Sequence, residues 1–161
     1  MGKKGREIVE YDIQKLIERL NSAYADEWLA AYYYTVGAQL ATGMKAALVA
    51  GKLRELAKEE LEHQEELAER ILQLGGEPIR SIDELVEKAN CRRVDIPEDP
   101  RDLKGLVEAV AEAERCAIDV YNGMLKDLMS VGKDPITFHT IRHIMGEEVH
   151  HEEEMENLLG L

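Results

Sequence analysis

The sequence predicts an all-α protein, a bundle of four long helices with one long crossover that contains a short helix. Helix-forming residues dominate the chain, and its only prolines are Pro78, Pro97, Pro100 and Pro135. Glycine, or aspartate followed by proline, marks each break between the periodic segments. Two of the three connections are short and one is long, which indicates two helical hairpins rather than a simple up-and-down series.

The first hairpin is predicted from helical periodicity over about residues 11–41 and again over about residues 45–74. Thr42 and Gly43 separate the two segments, and Gly75 with Gly76 ends the second. Glycine just past a helix takes the left-handed conformation that closes its last turn. The short connection makes these two helices an antiparallel pair.

The third helix is predicted to open at Asp99 as N-cap, with Pro100 at the first helical position, and to run to about Ser130. Gly132 is its expected stop, and the same aspartate–proline signal follows at Asp134.

That signal opens the fourth helix, which ends at Gly160. Between the hairpins, the crossover spans residues 75–99 and carries a capping-box pattern at Ser81 and Glu84, which predicts a short helix to about Ala89. Two helical hairpins joined by one long crossover are the arrangement of a ferritin-like four-helix bundle.

Length and composition limit the function classes. The 161 residues suggest a single domain, 1–161, with a short flexible tail over residues 1–8. No membrane-spanning run or signal-peptide pattern is present, so a cytoplasmic protein is expected. The net charge of −13 disfavours nucleic-acid binding, because phosphates would be repelled. Cys91 and Cys116 form no CxxC motif, and two thiols in such a chain are expected to be free.

A facing test separates buried glutamates from exposed ones. Residues at −7, −4, −3, +7 and +11 share a helical face, so a buried glutamate should have apolar residues at all five positions. Glu60, Glu27 and Glu114 satisfy all five, one on each of the first three helices. Glu59 satisfies only one, and Asp26 has Arg19 and Ser22 among its five.

The fourth helix offers two overlapping Glu-x-x-His pairs. Glu148 has five apolar neighbours on its face and Glu147 has two, so Glu148 with His151 is chosen over Glu147 with His150. On the second helix the corresponding pair is Glu60 with His63.

Each long helix is therefore predicted to bury one carboxylate near its middle, and two helices add a histidine. Four converging carboxylates repel one another and are costly to bury unless cations neutralise them. Carboxylate and imidazole ligands suit iron or manganese, and zinc can substitute without redox chemistry. The predicted ligands of this two-metal site, which are also the catalytic residues, are Glu27, Glu60, His63, Glu114, Glu148 and His151.

Within this set, Glu27 and Glu114 are expected as terminal ligands, and Glu60 and Glu148 as bridges. Two iron ions are expected as cofactors. Anionic ligands favour the ferric state, so the site is expected to drive Fe(II) toward oxidation, with oxygen or peroxide as electron acceptor. Tyr34 and Tyr121 each lie seven residues after a terminal ligand, where they either hydrogen-bond to carboxylates or simply fill the core. Trp28 lies off the stripe and is assigned to a subunit interface, and His139, His143 and His150 to the surface.

Several motifs together resemble the Dps-like proteins, also called thioferritins. They are DEWLAAYYYT, ATGM, EELEHQEELAERILQLGG, EAERCAI, GKDP and EEVHH, and they extend over most of the chain. The resemblance implies a dodecameric cage that oxidises Fe(II), preferably with hydrogen peroxide, at a bacterioferritin-like di-iron site and stores the ferric product. The resemblance also supports the pair Glu148 and His151. Bacterioferritin has a haem-binding methionine directly after the second-helix glutamate, and this chain has Leu61 there, so no haem is expected.

The same resemblance implies that Cys91 and Cys116 form a pair beside the metal site with a redox role. Spacing alone does not bring the two cysteines together, since Cys116 points away from the metal side of its helix. Two other functions remain open: a non-storing di-metal peroxidase or catalase of the rubrerythrin or manganese-catalase type, and a metal-free structural bundle. The absence of a rubredoxin module counts against a rubrerythrin.

Overall fold

The computed structural model describes residues 2–91, 93–130 and 133–160. The described residues form six helices and no strand: α1 (Lys3–Glu7), α2 (Ile13–Leu40), α3 (Ala46–Leu74), α4 (Ile82–Lys88), α5 (Leu103–Ser130) and α6 (Pro135–Leu159). The long helices α2, α3, α5 and α6 make the bundle, and α4 lies in the crossover between α3 and α5. The predicted all-α, ferritin-like bundle is thus confirmed, and no described helix has the length and apolarity that a membrane span requires.

Side-chain caps explain where two of the long helices begin. Asp12 accepts a hydrogen bond from the Lys15 backbone N–H at the start of α2, and Asp134 accepts from the N–H groups of Ile136 and Thr137 at the start of α6. Helix α3 ends at Gly75, whose φ of 88° is readily adopted only by glycine.

Two local predictions need correction. Helix α5 begins at Leu103 rather than at Pro100, because Asp102 caps it by accepting from Gly105 N, while Asp99 accepts from Arg101 N in the preceding turn. Ser81 precedes α4 as predicted, but its side chain makes no capping hydrogen bond.

At the N-terminus, α1 occupies residues 3–7 of the segment predicted to be a flexible tail, and the flexibility of that segment stays a prediction. Gly132, the predicted stop of the third helix, lies outside the described residues. The single-domain assignment stays a prediction.

The buried apolar side chains form two clusters, one toward each end of the bundle. One is built from residues such as Leu20, Leu74 and Ile144, and the other from residues such as Leu53, Val107 and Met155. At the first end, buried Arg70 of α3 pairs with the α6 cap Asp134 at 2.7 Å. The four glutamates that satisfy the facing test lie in the middle layer between the two clusters.

Candidate metal centre

The middle of each long helix contributes one fully buried glutamate, and α3 and α6 add one buried histidine each. All six predicted side chains are at most 2% exposed: Glu27, Glu60, His63, Glu114, Glu148 and His151. The apolar neighbours at helical spacing carry these groups inward, as the facing test requires. The predicted burial is confirmed for every one of them, and their role as metal ligands stays a prediction.

The two overlapping pairs on α6 differ in exposure, and the predicted pair is the buried one. Glu148 and His151 are buried, whereas the side chains of Glu147 and His150 are 47% and 67% exposed. His139 and His143 are also exposed, as predicted.

The six side chains make two overlapping groups of potential metal ligands. The first is Glu27, Glu60, His63 and Glu148, and the second is Glu60, Glu114, Glu148 and His151. In each group the ligand atoms lie within 4.8 Å of one another. Glu60 and Glu148 belong to both groups, which is the position that a bridging carboxylate would take.

Both histidines turn Nδ1 toward the carboxylates. His63 Nδ1 lies 3.0 Å from Glu148 Oε1 and 3.3 Å from Glu60 Oε2. His151 Nδ1 lies 3.5 Å from Glu148 Oε2 and 3.6 Å from Glu114 Oε2. The two imidazole rings stack with centroids 5.9 Å apart.

Several of these atoms lack a hydrogen bond although they are fully buried. They are Glu60 Oε1, both carboxylate oxygens of Glu148, and His151 Nδ1. Buried polar atoms in a folded protein almost always find a partner, so unsatisfied ones need an explanation. All four belong to the candidate ligand atoms, and this oxygen-rich set with imidazole nitrogen fits iron or manganese.

Charge balance points the same way. Burial, reinforced by the charge of Glu148, raises the pKa of Glu60 and Glu114 well above the usual range. Burial opposes protonation of the histidines, but the carboxylates around them outweigh it, raising the pKa of His63 and bringing that of His151 to about 12. Burial also acts to raise the pKa of Glu148, but the adjacent imidazoles of His151 and His63 lower it. The four carboxylates therefore cannot all be ionised together unless positive charge lies between them.

Two glutamates that failed the facing test take part in the site from outside. His63 Nε2 lies 2.8 Å from Glu147 Oε2, and His151 Nε2 lies 2.8 Å from Glu59 Oε2. A carboxylate that accepts from Nε2 fixes the ring orientation and leaves Nδ1 free to bind a metal. The sequence did carry this signal, because EExxH occurs at 59–63 and again at 147–151.

The two tyrosines hydrogen-bond to the terminal glutamates, each across the bundle. Tyr34 of α2 donates to Glu114 of α5 at 2.6 Å, and Tyr121 of α5 donates to Glu27 of α2. Burial raises the pKa of both phenols well above the usual value, so each stays a proton donor. The sequence left open whether these tyrosines bind the carboxylates or only fill the core, and in the structure both form hydrogen bonds to them.

The cysteines differ from the expectation of free thiols, because Cys91 and Cys116 form a disulfide with Cα atoms 5.9 Å apart. Buried Asp26 holds the crossover here, since its carboxylate accepts from Cys91 N at 2.8 Å and from the Asn90 amide at 2.7 Å. Asp26 lies off the apolar stripe, so the facing test missed a carboxylate that is buried by the crossover. Cys91 lines a small cavity together with Glu27, which places the pair beside the site as the resemblance implies. A redox role for it stays a prediction.

With this geometry established, the comparisons with known proteins identify the class. The model of the ferritin-like domain matches residues 17–161. The chain therefore belongs to the ferritin-like family.

Within that family, the chain is homologous to proteins of the Dps type. It is 36% identical over 162 residues to the DNA protection during starvation protein of Pyrococcus furiosus, covering 99% of this chain and 86% of that protein. It is 34% identical to the bacterioferritin-related protein of Bacteroides fragilis, described as a dodecameric thioferritin, with a TM-score of 0.89 over 99% of this chain and 94% of that one. A bacterioferritin of Desulfovibrio desulfuricans is 30% identical, covering 89% of this chain and 74% of that protein.

Proposed function

We propose that this protein oxidises Fe(II) with hydrogen peroxide, or with oxygen, and stores the ferric product in a homo-oligomeric, dodecameric cage in the cytoplasm. The observation that carries this proposal is the pair of overlapping ligand groups that share Glu60 and Glu148. Two ferrous ions would each lose one electron, and one peroxide with two protons would accept both electrons and leave as two water molecules. Removing iron and peroxide together would protect the cell against oxidative stress.

The residues present fit two iron ions. Glu27 and His63 would hold one ion, Glu114 and His151 the other, and the shared glutamates would bridge them. Bound iron supplies one-electron redox chemistry, and four carboxylates favour its ferric form. Manganese or zinc can occupy such a site. No haem is expected.

Neighbouring side chains orient the candidate ligands. Glu147 and Glu59 orient the two imidazoles, and Tyr34 and Tyr121 orient the two terminal carboxylates. Side chains that are held in place before the ions arrive lose less freedom on binding them.

An exposed apolar surface supports assembly. Trp28, Tyr32 and Ile82 are 37%, 61% and 77% exposed, and they line one groove between α2 and the crossover together with Leu61 and Val86. Apolar side chains grouped on a surface commonly mark a protein interface. The Bacteroides fragilis relative is described as dodecameric, and we propose the same assembly for this chain.

Protection by iron and peroxide removal fits the charge better than protection by coating DNA. The net charge is −13, so the surface repels phosphates unless a local basic segment compensates. Equal mobility of duplex DNA with and without the protein at low salt is the expected result.

An anaerobic Fe(II) titration followed by peroxide tests the proposal. We expect saturation at two ions per chain, in line with the two ligand groups, then rapid oxidation at one peroxide per two ions, and mineral growth in a particle with the native mass of a dodecamer. Glu60→Ala should abolish saturation and rapid oxidation and retain the helical circular-dichroism spectrum. Glu62→Ala, on an exposed side chain that pairs with Lys58, is the matched control.

Other outcomes would assign the protein differently. A small oligomer that turns over peroxide catalytically without accumulating iron would indicate a rubrerythrin-like peroxidase or a manganese catalase. A wild-type chain that binds no metal would leave a structural bundle.

A further inference from the structure

A small cavity adjoins the metal-ligating carboxylates between α2 and α5, beneath the crossover. Its walls include Glu60 and Glu148, the disulfide cysteine Cys91, and the small side chains Ala113 and Ala117. No histidine lines it among the described residues. The centre thus has two different sides, a histidine side that leads to exposed carboxylates and a cavity side that leads to the crossover.

The size of the cavity restricts what it can hold. Its volume is about 30 Å³, and one water needs roughly 10–15 Å³ measured in this way. A molecule with two heavy atoms, such as peroxide or dioxygen, fits this space, and anything much larger does not.

The chemistry of the walls favours a small neutral molecule over a cation. Most of the lining away from the four ligand carboxylates is apolar, and a hydrated divalent ion would lose its water shell there at high cost. Asp26 is the other acid in the wall, but both of its carboxylate oxygens accept hydrogen bonds from Cys91 N and Asn90.

The unsatisfied atoms belong to carboxylates that line the cavity. Glu60 Oε1 and both oxygens of Glu148 have no hydrogen-bond partner, and both residues line the cavity. A molecule in the cavity therefore lies directly against the two carboxylates that both ligand groups share.

We propose that this cavity is the docking site of the two-atom oxidant, and that Ala113 and Ala117 set its size. This inference rests on the proposed ferroxidase function. Fe(II) reaches the centre from the opposite side, where the exposed carboxylates Glu147 and Glu59 adjoin the histidines and attract cations. Ala113 and Ala117 act by leaving space, since their methyl groups offer the oxidant no polar atom.

Filling the cavity tests the proposal. In Ala117→Leu, the rate constant for oxidation by peroxide should fall at least about tenfold, the scale on which a pocket rejects added methylenes. Ferricyanide, which is too large for the cavity and accepts electrons from outside it, should oxidise the bound Fe(II) at the wild-type rate. Ala109→Leu places the same side chain elsewhere on α5, at another partly buried alanine, and is the matched control.

Two measurements that do not depend on turnover complete the test. An anaerobic Co(II) titration should give the same stoichiometry and absorption spectrum in the variant and the wild type. Nitric oxide, a neutral two-atom probe, should bind the ferrous variant at least about tenfold more weakly, by the same steric argument.

Ala117→Val supplies a smaller step if the leucine variant fails to fold, and should give an intermediate rate. A folded variant with normal Co(II) binding and an unchanged peroxide rate would overturn the docking site alone. Failure of the wild type to bind Co(II) or Fe(II) would instead overturn the proposed function.

Discussion

The two helical hairpins carry the same inner chemistry at matching positions. Helices α2 and α3 contribute two glutamates, a histidine and a tyrosine, and α5 and α6 contribute the same four residue types at corresponding places. The two sets are Glu27, Tyr34, Glu60 and His63, and Glu114, Tyr121, Glu148 and His151. Each hairpin also completes the other, because the tyrosines bond between α2 and α5 and the histidines between α3 and α6. A complete site therefore exists only once the hairpins have docked.

Outside this inner set the hairpins differ. On α2 the residue before the terminal glutamate is Asp26, which holds the crossover, whereas on α5 it is Ala113, which lines the cavity. Lys52 bridges Glu154 and Glu55 at 2.6 and 3.2 Å on one flank of the histidine side. On the other flank His143 lies 3.6 Å from Glu66 and 3.8 Å from Glu147. The two hairpins thus contribute equivalent ligands to the centre, whereas the residues around the centre differ from one side to the other.

The largest test of the equivalence removes one histidine from each hairpin. We expect His63→Ala and His151→Ala each to abolish rapid Fe(II) oxidation, because the two ligand groups share two carboxylates and neither ion is held well without its imidazole. Each variant should bind about one Fe(II) per chain fewer than the wild type, because each of the two ions in such a site takes one of the two histidines. Stopped-flow oxidation and anaerobic titration measure both effects.

Exposed histidines provide the control for this pair. His143→Ala and His150→Ala should leave the stoichiometry unchanged, since neither belongs to a ligand group. If His63→Ala were inactive while His151→Ala kept wild-type kinetics, the two hairpins would not be functionally equivalent.

A smaller effect is expected for the outer carboxylates. Glu147→Gln and Glu59→Gln keep the size of the side chain but remove the charge that the imidazole Nε2 faces. Loss of such a partner typically costs about 10–100-fold in metal affinity. Competition with a coloured chelator for Co(II) measures it, with Glu62→Gln as the matched surface control. Affinities within a factor of two of the wild type in both variants would show that the imidazoles are held by packing alone.

The sequence predicts most of the fold and the inner site because both follow from local periodicity. Apolar neighbours at helical spacing place Glu60 and Glu148 inward and Glu147 outward, and no tertiary information is needed for that. The N-cap of α5 does not follow from local sequence, because Asp99 and Asp102 are both suitable caps and only the contact with Gly105 N decides between them.

The crossover is where local reasoning fails. Asp26 is buried by a segment more than sixty positions away, and the partner of Cys116 lies on that same segment. No periodic pattern on α2 or α5 reports such a contact. Glu59 was missed for a related reason, since a half-exposed residue fails a test for burial and yet reaches His151 on another helix.

The least effect is expected at the asymmetric position itself. Asp26→Ala removes the acceptor of the Cys91 N–H and of the Asn90 amide, so the crossover should open more readily over the disulfide. Removing the carboxylate also relieves the cost of burying it, so each of the two hydrogen bonds is taken at about 0.5 kcal/mol, the lower end of the usual net range, and the open population should rise about fivefold. The rate at which a water-soluble phosphine reduces Cys91–Cys116 measures this opening, and exposed Asp119→Ala on α5 is the control. The ions' ligands are untouched, so Co(II) stoichiometry should stay at the wild-type value. An unchanged reduction rate in Asp26→Ala would mean that packing around Val94, rather than this carboxylate, fixes the crossover against α2.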